Sequence, residues 1–139
     1  AQFVGSPVMN LAKATVSRNG DDANVAVEGS AEGFGFPGSL LGMLDAARSA
    51  KSDLALGIRP EGVLVAREAQ DGYLPVEAHI IEPLGSYDIV DLKVGSQMLR
   101  ARTRSGFVPR AGERVWAKID PAQAHFFDTA SGNSLGVRL

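Results

Sequence analysis

Several groups of residues in this chain have types and spacings that could do chemistry. Gly33-x-Gly35-x-x-Gly38 spells the dinucleotide fingerprint, and Asp53 follows at about the 20-residue distance of a ribose-binding acid. That motif needs a buried parallel strand before it and a helix starting inside it, whose N-terminus holds the pyrophosphate. Here Pro37 breaks the turn while Phe34 and Phe36 crowd it, which predicts an aromatic-bearing loop. Ser39 and Leu40 stand where a P-loop requires Lys and Ser or Thr, so a phosphate cradle of that kind is excluded too. His79 and His125 are the only histidines, and both fall in strand patterns, where an imidazole is ordinarily packed or on the surface. The absence of Cys removes disulfides, thiolate catalysis and zinc–thiolate sites together, and fits a reducing compartment. Gly-x-Ser-x-Gly is missing, so no nucleophile elbow is available. Glu82, Asp88 and Asp91 gather near a hairpin, but hairpin edges collect charge anyway. Arg100, Arg102 and Arg104 share a strand face and, with Arg110 and Arg114, could follow a phosphate backbone as small β-barrels do. Base stacking would need interleaved aromatics, and this face offers only Met98 and Tyr87. A solvated, partly ion-paired edge is therefore the expected reading, with no catalytic and no metal-ligating constellation.

The elements that would position these residues are strands. Residues 76–104 read as three of them, broken at Pro83-Leu84-Gly85 and at Gly95-Ser96. Gly95-Ser96 suits a two-residue type II′ turn, because only Gly takes a positive φ at its first position cheaply. That turn fixes the register. Val94 faces Gln97, Leu92 faces Leu99 and Val90 faces Ala101 on one side, expected to be apolar. Lys93 faces Met98, Asp91 faces Arg100 and Ile89 faces Arg102 on the other, with Arg104 beyond. Upstream, Asn19-Gly20-Asp21-Asp22 marks a hairpin that keeps Ala14, Val16, Val25 and Val27 on one face. One helix is expected, over residues 40–52 and short, since Gly42 costs about 1 kcal/mol relative to Ala inside a helix. Residues 53–66 read as a strand, a turn centred on Pro60 and a second strand. Residues 114–119 alternate again, 121–124 permit one helical turn, and 125–128 make a last strand. Eight or more short strands with one helix predict an all-β fold, a sandwich or small barrel.

Size and composition set the bounds. With 139 residues the chain is expected to be a single domain, large enough to bury roughly two-thirds of its unfolded surface without staples. A net charge of −2 gives no general attraction for nucleic acid or anionic membranes. No run approaches the ~20 apolar residues of a membrane span. Ala1-Gln-Phe-Val-Gly-Ser-Pro7 has neither the basic region nor the apolar segment of a signal peptide. Without an initiator Met, and with Phe3-Val4 reading as an interior stretch, a segment cut from a longer protein is expected.

Four ordered segments resemble one family. Phe3-Val-Gly-Ser-Pro-Val-Met-Asn10 resembles the join that follows the nucleotide-binding domain in ATPase subunits of sugar ABC importers of the maltose-importer type. Leu56-Gly-Ile-Arg-Pro-Glu61 and Glu82-Pro-Leu-Gly-Ser86 are similar to that family's "L-G-I-R-P-E" turn and "E-P-L-G" strand break. Ala111-Gly-Glu-Arg-Val115 followed by Asp120-Pro-Ala-Gln-Ala-His-Phe-Phe-Asp128 is similar to its closing segment. Order and spacing agree from Phe3 to about Leu135. Gly62, where the family usually has His, and Trp116 depart from the commonest form.

The resemblance implies a C-terminal regulatory domain of the transport-associated OB (TOBE) type, built of OB-like β-barrel modules. It implies contacts between two ATPase subunits, and in some relatives the docking of a cytosolic regulator. It places the protein in the cytoplasm, on the inner face of the membrane beside permease subunits. No cofactor is expected in this chain, because the Walker A, signature and Walker B motifs that handle ATP and Mg are absent from it. Phe3, Gly5, Ser6 and Pro7 are then expected to form a hinge, since Gly5 permits a tight bend and Pro7 fixes φ near −65°. The turn Gly57, Ile58, Arg59, Pro60 and Glu61 is expected to meet a second copy, with Arg59 and Glu61 pairing reciprocally across a two-fold axis. An OB-type oligonucleotide-binding module and a free-standing small-ligand-binding barrel are the alternative readings.

Overall fold

Period-two alternation produces the first strands, as a sheet with one covered face requires. The computed structural model describes residues 9–47, 54–129, 131–137 and 139. The expected hinge residues Phe3, Gly5, Ser6 and Pro7, and Asp53, lie outside them. Strands β1 (Asn10–Asn19) and β2 (Asp22–Val27) form an antiparallel hairpin around Gly20-Asp21, pairing Ala14 with Val27 and Val16 with Val25.

Residues 33–38, expected as a loop, contain a strand instead: β3 (Phe34–Phe36) pairs with β2, Phe34 opposite Val25 and Phe36 opposite Ala23. Phe-Gly-Phe alternates, so both rings enter the core while Gly35 faces out. Burial of two aromatic side chains outweighs the weak strand preference of the flanking Gly and Pro residues. Helix α1 (Ser39–Ala47) follows, and Leu40 and Leu44, one turn apart, are its buried contacts. The expected continuation of this helix over residues 48–52 lies outside the described residues.

The chain then runs through β4 (Leu54–Ile58), a 3₁₀ turn at Pro60–Gly62, and β5 (Val63–Ala66). Next come β6 (Leu74–Pro83), β7 (Tyr87–Val94), β8 (Gln97–Arg104) and β9 (Arg114–Ile119). A 3₁₀ turn at Pro121–Gln123 leads to β10 (His125–Asp128). The β7–β8 register is the expected one in every pair from Val94↔Gln97 to Ile89↔Arg102. Gly95 has φ +59° and Ser96 is not left-handed, which are the φ signs of a type II′ turn.

The strands form two five-stranded antiparallel sheets, ordered β10-β4-β1-β2-β3 and β5-β9-β6-β7-β8. One contiguous buried cluster joins them, with Phe34, Leu56 and Phe126 from the first and Leu92, Leu99 and Ile119 from the second. The tip of the β7–β8 hairpin reaches back to the first sheet, where the Ser96 amide and hydroxyl both donate to the Glu28 carbonyl (3.1 and 2.9 Å).

One expectation about faces needs correction. Alternation puts Ile89 on the solvated side of β7, yet it is buried. It stands between Glu82 on β6 and Arg102 on β8, with Tyr87 two residues away on the same face. Long polar side chains can cover an apolar neighbour with their stems while their heads stay wet.

Candidate functional site

The two sheets are joined where the chain passes between them, and that joint is the "L-G-I-R-P-E" turn. β4 belongs to the first sheet and β5 to the second, so residues 59–62 cross the gap. Residues 120–124 cross back from β9 to β10. The crossings touch at Gly62, whose carbonyl accepts from the Asp120 amide at 2.9 Å. A Cβ on Gly62 would lie 2.6 Å from Ile58 Cδ1 and 3.2 Å from Gln123 Cβ, so this chain packs two crossings into the space a side chain would take. Asp120 caps the second crossing, its carboxylate accepting from the Ala122 amide and the Gln123 side chain.

Of the five residues expected to meet a second copy, Gly57, Ile58 and Pro60 are buried, whereas Arg59 and Glu61 are exposed. Phe127, Met9 and Leu11 close over Gly57, where a Cβ would come within 2.6 Å of Phe127 Cε2 and 2.8 Å of Met9 Sδ. The buried members thus stiffen the turn, and the charged pair is what it presents.

Asn10 locks this joint, and its role escaped the sequence reading. It is one of few buried polar residues. Its side-chain amide donates to the carbonyls of Ile58 (3.0 Å) and Arg100 (2.9 Å), and its Oδ1 accepts from the Arg100 amide (2.7 Å). One side chain thereby imitates a strand partner for Arg100 while holding the end of β4.

That contact also orients the edge of β8. Since the Arg100 amide and carbonyl point away from β7, alternation points those of Arg102 the same way, while the Arg104 carbonyl accepts from the Phe107 amide in the turn that follows. On that side lies β5, the opposite edge of the same sheet, which returns alongside β8 and runs parallel to it. No ladder joins the two edges among the described residues. Between them opens a cavity of about 370 Å³, bounded by Glu61 and Leu64 on one side and Arg102 and Arg104 on the other, with Tyr73 and Phe107 at the margins.

The three arginines of β8, expected as a partly ion-paired edge, divide. Arg100 is paired, 3.3 Å from Asp91 and 3.7 Å from Glu82. Arg102 and Arg104 form no ion pair among the described residues; instead Arg102 lies over the Tyr87 ring at 3.9 Å and Arg104 over Phe107 at 5.0 Å. The loop that supplies Phe107 is held by Asp88, whose buried carboxylate accepts from the Gly106 amide at 2.9 Å, and by the Phe107 amide donating to the Arg104 carbonyl. Phe107 follows β8 within one turn, whereas nothing local in the sequence marks Tyr73 as a neighbour of this strand.

The remaining candidates stay apart. His79 sits at the bulge between Ala78 and Ile80 and pairs with Glu77 at 3.2 Å on the surface of the second sheet. His125 is exposed on β10 in the first. Among the described residues no three His, Asp or Glu groups stand close enough to hold a metal, and no helix is long and apolar enough to cross a membrane.

Comparison with known proteins follows the same division of the chain. A model of the MalK OB fold domain matches residues 5–63, and the TOBE domain model matches residues 56–127. The sn-glycerol-3-phosphate import ATP-binding protein UgpC of Salmonella typhi is 31% identical over 134 residues, 95% of this chain and 34% of that protein. The sulfoquinovosyl glycerol transport ATP-binding protein SmoE of Agrobacterium fabrum is 32% identical over 133 residues, 96% of this chain and 35% of that protein. The chain thus spans about a third of the length of the curated relatives it matches. In fold it is similar to a crystal structure of the cytoplasmic molybdate-binding protein ModG with molybdate bound (TM-score 0.60, 15% identity, 90% of this chain and 98% of that one). With the TOBE model spanning more than half of its residues and overlapping the end of the MalK-type OB fold match, the chain belongs to the TOBE-domain family.

Proposed function

We propose that this chain is the regulatory and dimerisation domain of the ATP-binding subunit of an ABC-type carbohydrate importer, acting as one unit over residues 1–139. The observation that carries the reading is the ordered pair of family matches, over a stretch along which the similar proteins are ATP-binding subunits of importers. On this reading ATP and Mg are handled by a nucleotide-binding domain beyond the present sequence, and the chain alone neither binds nor hydrolyses ATP. The subunit works in the cytoplasm against the membrane-embedded permease subunits, where a cytosolic regulator could dock on it. Phe3, Gly5, Ser6 and Pro7 form the hinge to the nucleotide-binding domain.

The self-contact uses Arg59 and Glu61. They are exposed on a turn whose other members are buried, so little side-chain or backbone freedom is lost when the surface is used. Opposite charges two residues apart can meet their own copies reciprocally across a two-fold axis. Because the rest of the subunit would help hold the copies together, a weak dimer with a modest interface suffices for this chain alone. Light scattering over a concentration series, on wild type and on Arg59→Glu, tests it. The mass should rise with concentration in the wild type and stay monomeric in the variant. A strict monomer at millimolar concentration, or a dimer indifferent to Arg59→Glu, removes this turn from the contact.

A further inference from the structure

Resting on the self-contact read at the Arg59 turn, we propose that the contact is centred on an apolar patch of the first sheet. Met9, Leu11 and Phe127 form it, and its occupant is the same patch of a second copy.

Two exposed charges do not make an interface. A specific contact of ordinary size buries about 800 Å² on each partner, more than two side chains of one turn can cover. An exposed ion pair is also worth little, so Arg59 and Glu61 can orient two copies but not hold them. The contact must extend onto surface continuous with the turn. Leu11 pairs with Gly57 and Asn10 with Ile58, so Met9 and Arg59 come next on their two strands. Arg59 has an extended backbone (φ −73°, ψ 153°), which puts it on the same face as Gly57, two residues back. Over Gly57 three side chains converge: a Cβ there would lie 2.6 Å from Phe127 Cε2, 2.8 Å from Met9 Sδ and 3.3 Å from Leu11 Cδ2. They make one apolar surface beside Arg59. Met9 and Phe127 are half-buried, whereas Leu11 is 64% exposed, the most exposed large apolar side chain among the described residues.

Charge says which partner fits. In a two-fold contact a residue near the axis meets its own copy, so a charge there repels itself. Met9, Leu11 and Phe127 carry none and can meet their own copies without that cost. Cross-strand pairing sets Leu11 in a row with Gly57 and His125, and Phe127 in a row with Ala55 and Lys13. His125, Lys13 and Arg59 therefore border the patch, as the polar rim of an interface does. The other exposed apolar side chains of the second sheet have a charge as cross-strand neighbour, Asp91 for Ile80 and Lys93 for Met98.

Sedimentation and alkylation together test the assignment. Leu11 is covered twice in a two-fold contact, so Leu11→Ser should raise the dissociation constant of the dimer by about tenfold or more. The residue is exposed in the single copy, so the melting temperature should stay close to that of the wild type, which separates lost association from lost folding. Raising salt from about 0.15 to about 1 M shortens the screening length from about 8 to about 3 Å, yet most of the association should survive. The chain has no Cys, so Leu11→Cys supplies a single thiol. Its alkylation by iodoacetamide should slow as the concentration rises into the dimer range. That of Leu84→Cys, exposed between β6 and β7, should stay constant. Association abolished by Arg59→Glu but untouched by Leu11→Ser would overturn the patch and keep the turn. The reverse pattern would keep the patch and remove the charge pairing. Equal slowing at both thiols, loss of the dimer at high salt, or a strict monomer at millimolar concentration would overturn the proposal.

Discussion

The two sheets each have two free edges that curl toward one another, and they treat the meeting differently. In the first, Phe36 on β3 and Phe126 on β10 meet edge-to-face, ring centroids 5.8 Å apart, and both are buried. In the second, β5 and β8 face across a cavity rimmed by Arg102, Arg104 and Glu61. An aromatic pair is worth about 0.5–1.5 kcal/mol beyond the area it buries, so the first seam adds to stability directly. Exposed charges add little, so the charged rim of the second seam contributes little to the fold. One seam is thus closed by buried rings and the other rimmed by exposed charge.

The sharpest way to break this comparison is Phe126→Ala. The side chain is buried at the first seam, with Leu56 across the ladder and Phe36 across the gap. Its loss should cost about 3–5 kcal/mol, the usual range for emptying a buried aromatic site. Urea unfolding should show a lower midpoint with an unchanged slope. A cost under about 1 kcal/mol would mean that the first seam is held by something other than its rings.

Asn10→Ala should come next. It removes three hydrogen bonds and leaves the Arg100 amide without the Asn10 acceptor in a part-buried place, which costs about 1–3 kcal/mol. Asn10→Asp refines the reading: its carboxylate can still accept from the Arg100 amide but cannot donate to the Ile58 and Arg100 carbonyls. It should therefore be at least as destabilising as Ala, despite its near-identical shape. Equal stability of Asn10→Asp and wild type would show that the two donated bonds do not matter.

How legible all this was depended on sequence distance. The β7–β8 hairpin could be read pair by pair, because a two-residue turn and period-two alternation are local signals. The motif order likewise announced the family from short stretches. The joint was harder. Asn10 finds its partners 48 and 90 residues away, and nothing near it in the chain names them. The strand–turn–strand pattern at 53–66 does not reveal that its two strands enter different sheets, since only pairing with β1 and β9 decides that. Arg102 and Arg104 were visible as a face, but whether a cation meets a carboxylate or a ring depends on Phe107, delivered by a loop that Asp88 pins. Ile89 misled because alternation assigns faces and cannot foresee that neighbouring polar stems will cover one.

The smallest expected effect is also the most direct test of the claim that the charged face of β8 does not hold the fold. Asp91 lies opposite Arg100 in the ladder, with Oδ1 3.3 Å from Nε. The Arg100 side chain keeps 45% of its exposure, so water and salt screen the pair, and Glu82 stands by as a second acceptor at 3.7 Å. Asp91→Ala should then cost about 0.2–1 kcal/mol, and less in high salt. Leu92, the next residue, points the other way and is fully buried, so Leu92→Ala should cost about 2–5 kcal/mol. Measured side by side in urea, the two neighbours should differ several-fold. If Asp91→Ala proved as costly as Leu92→Ala, the charged face of β8 would be structural, and the contrast between buried rings that hold the fold and exposed charges that do not would fail.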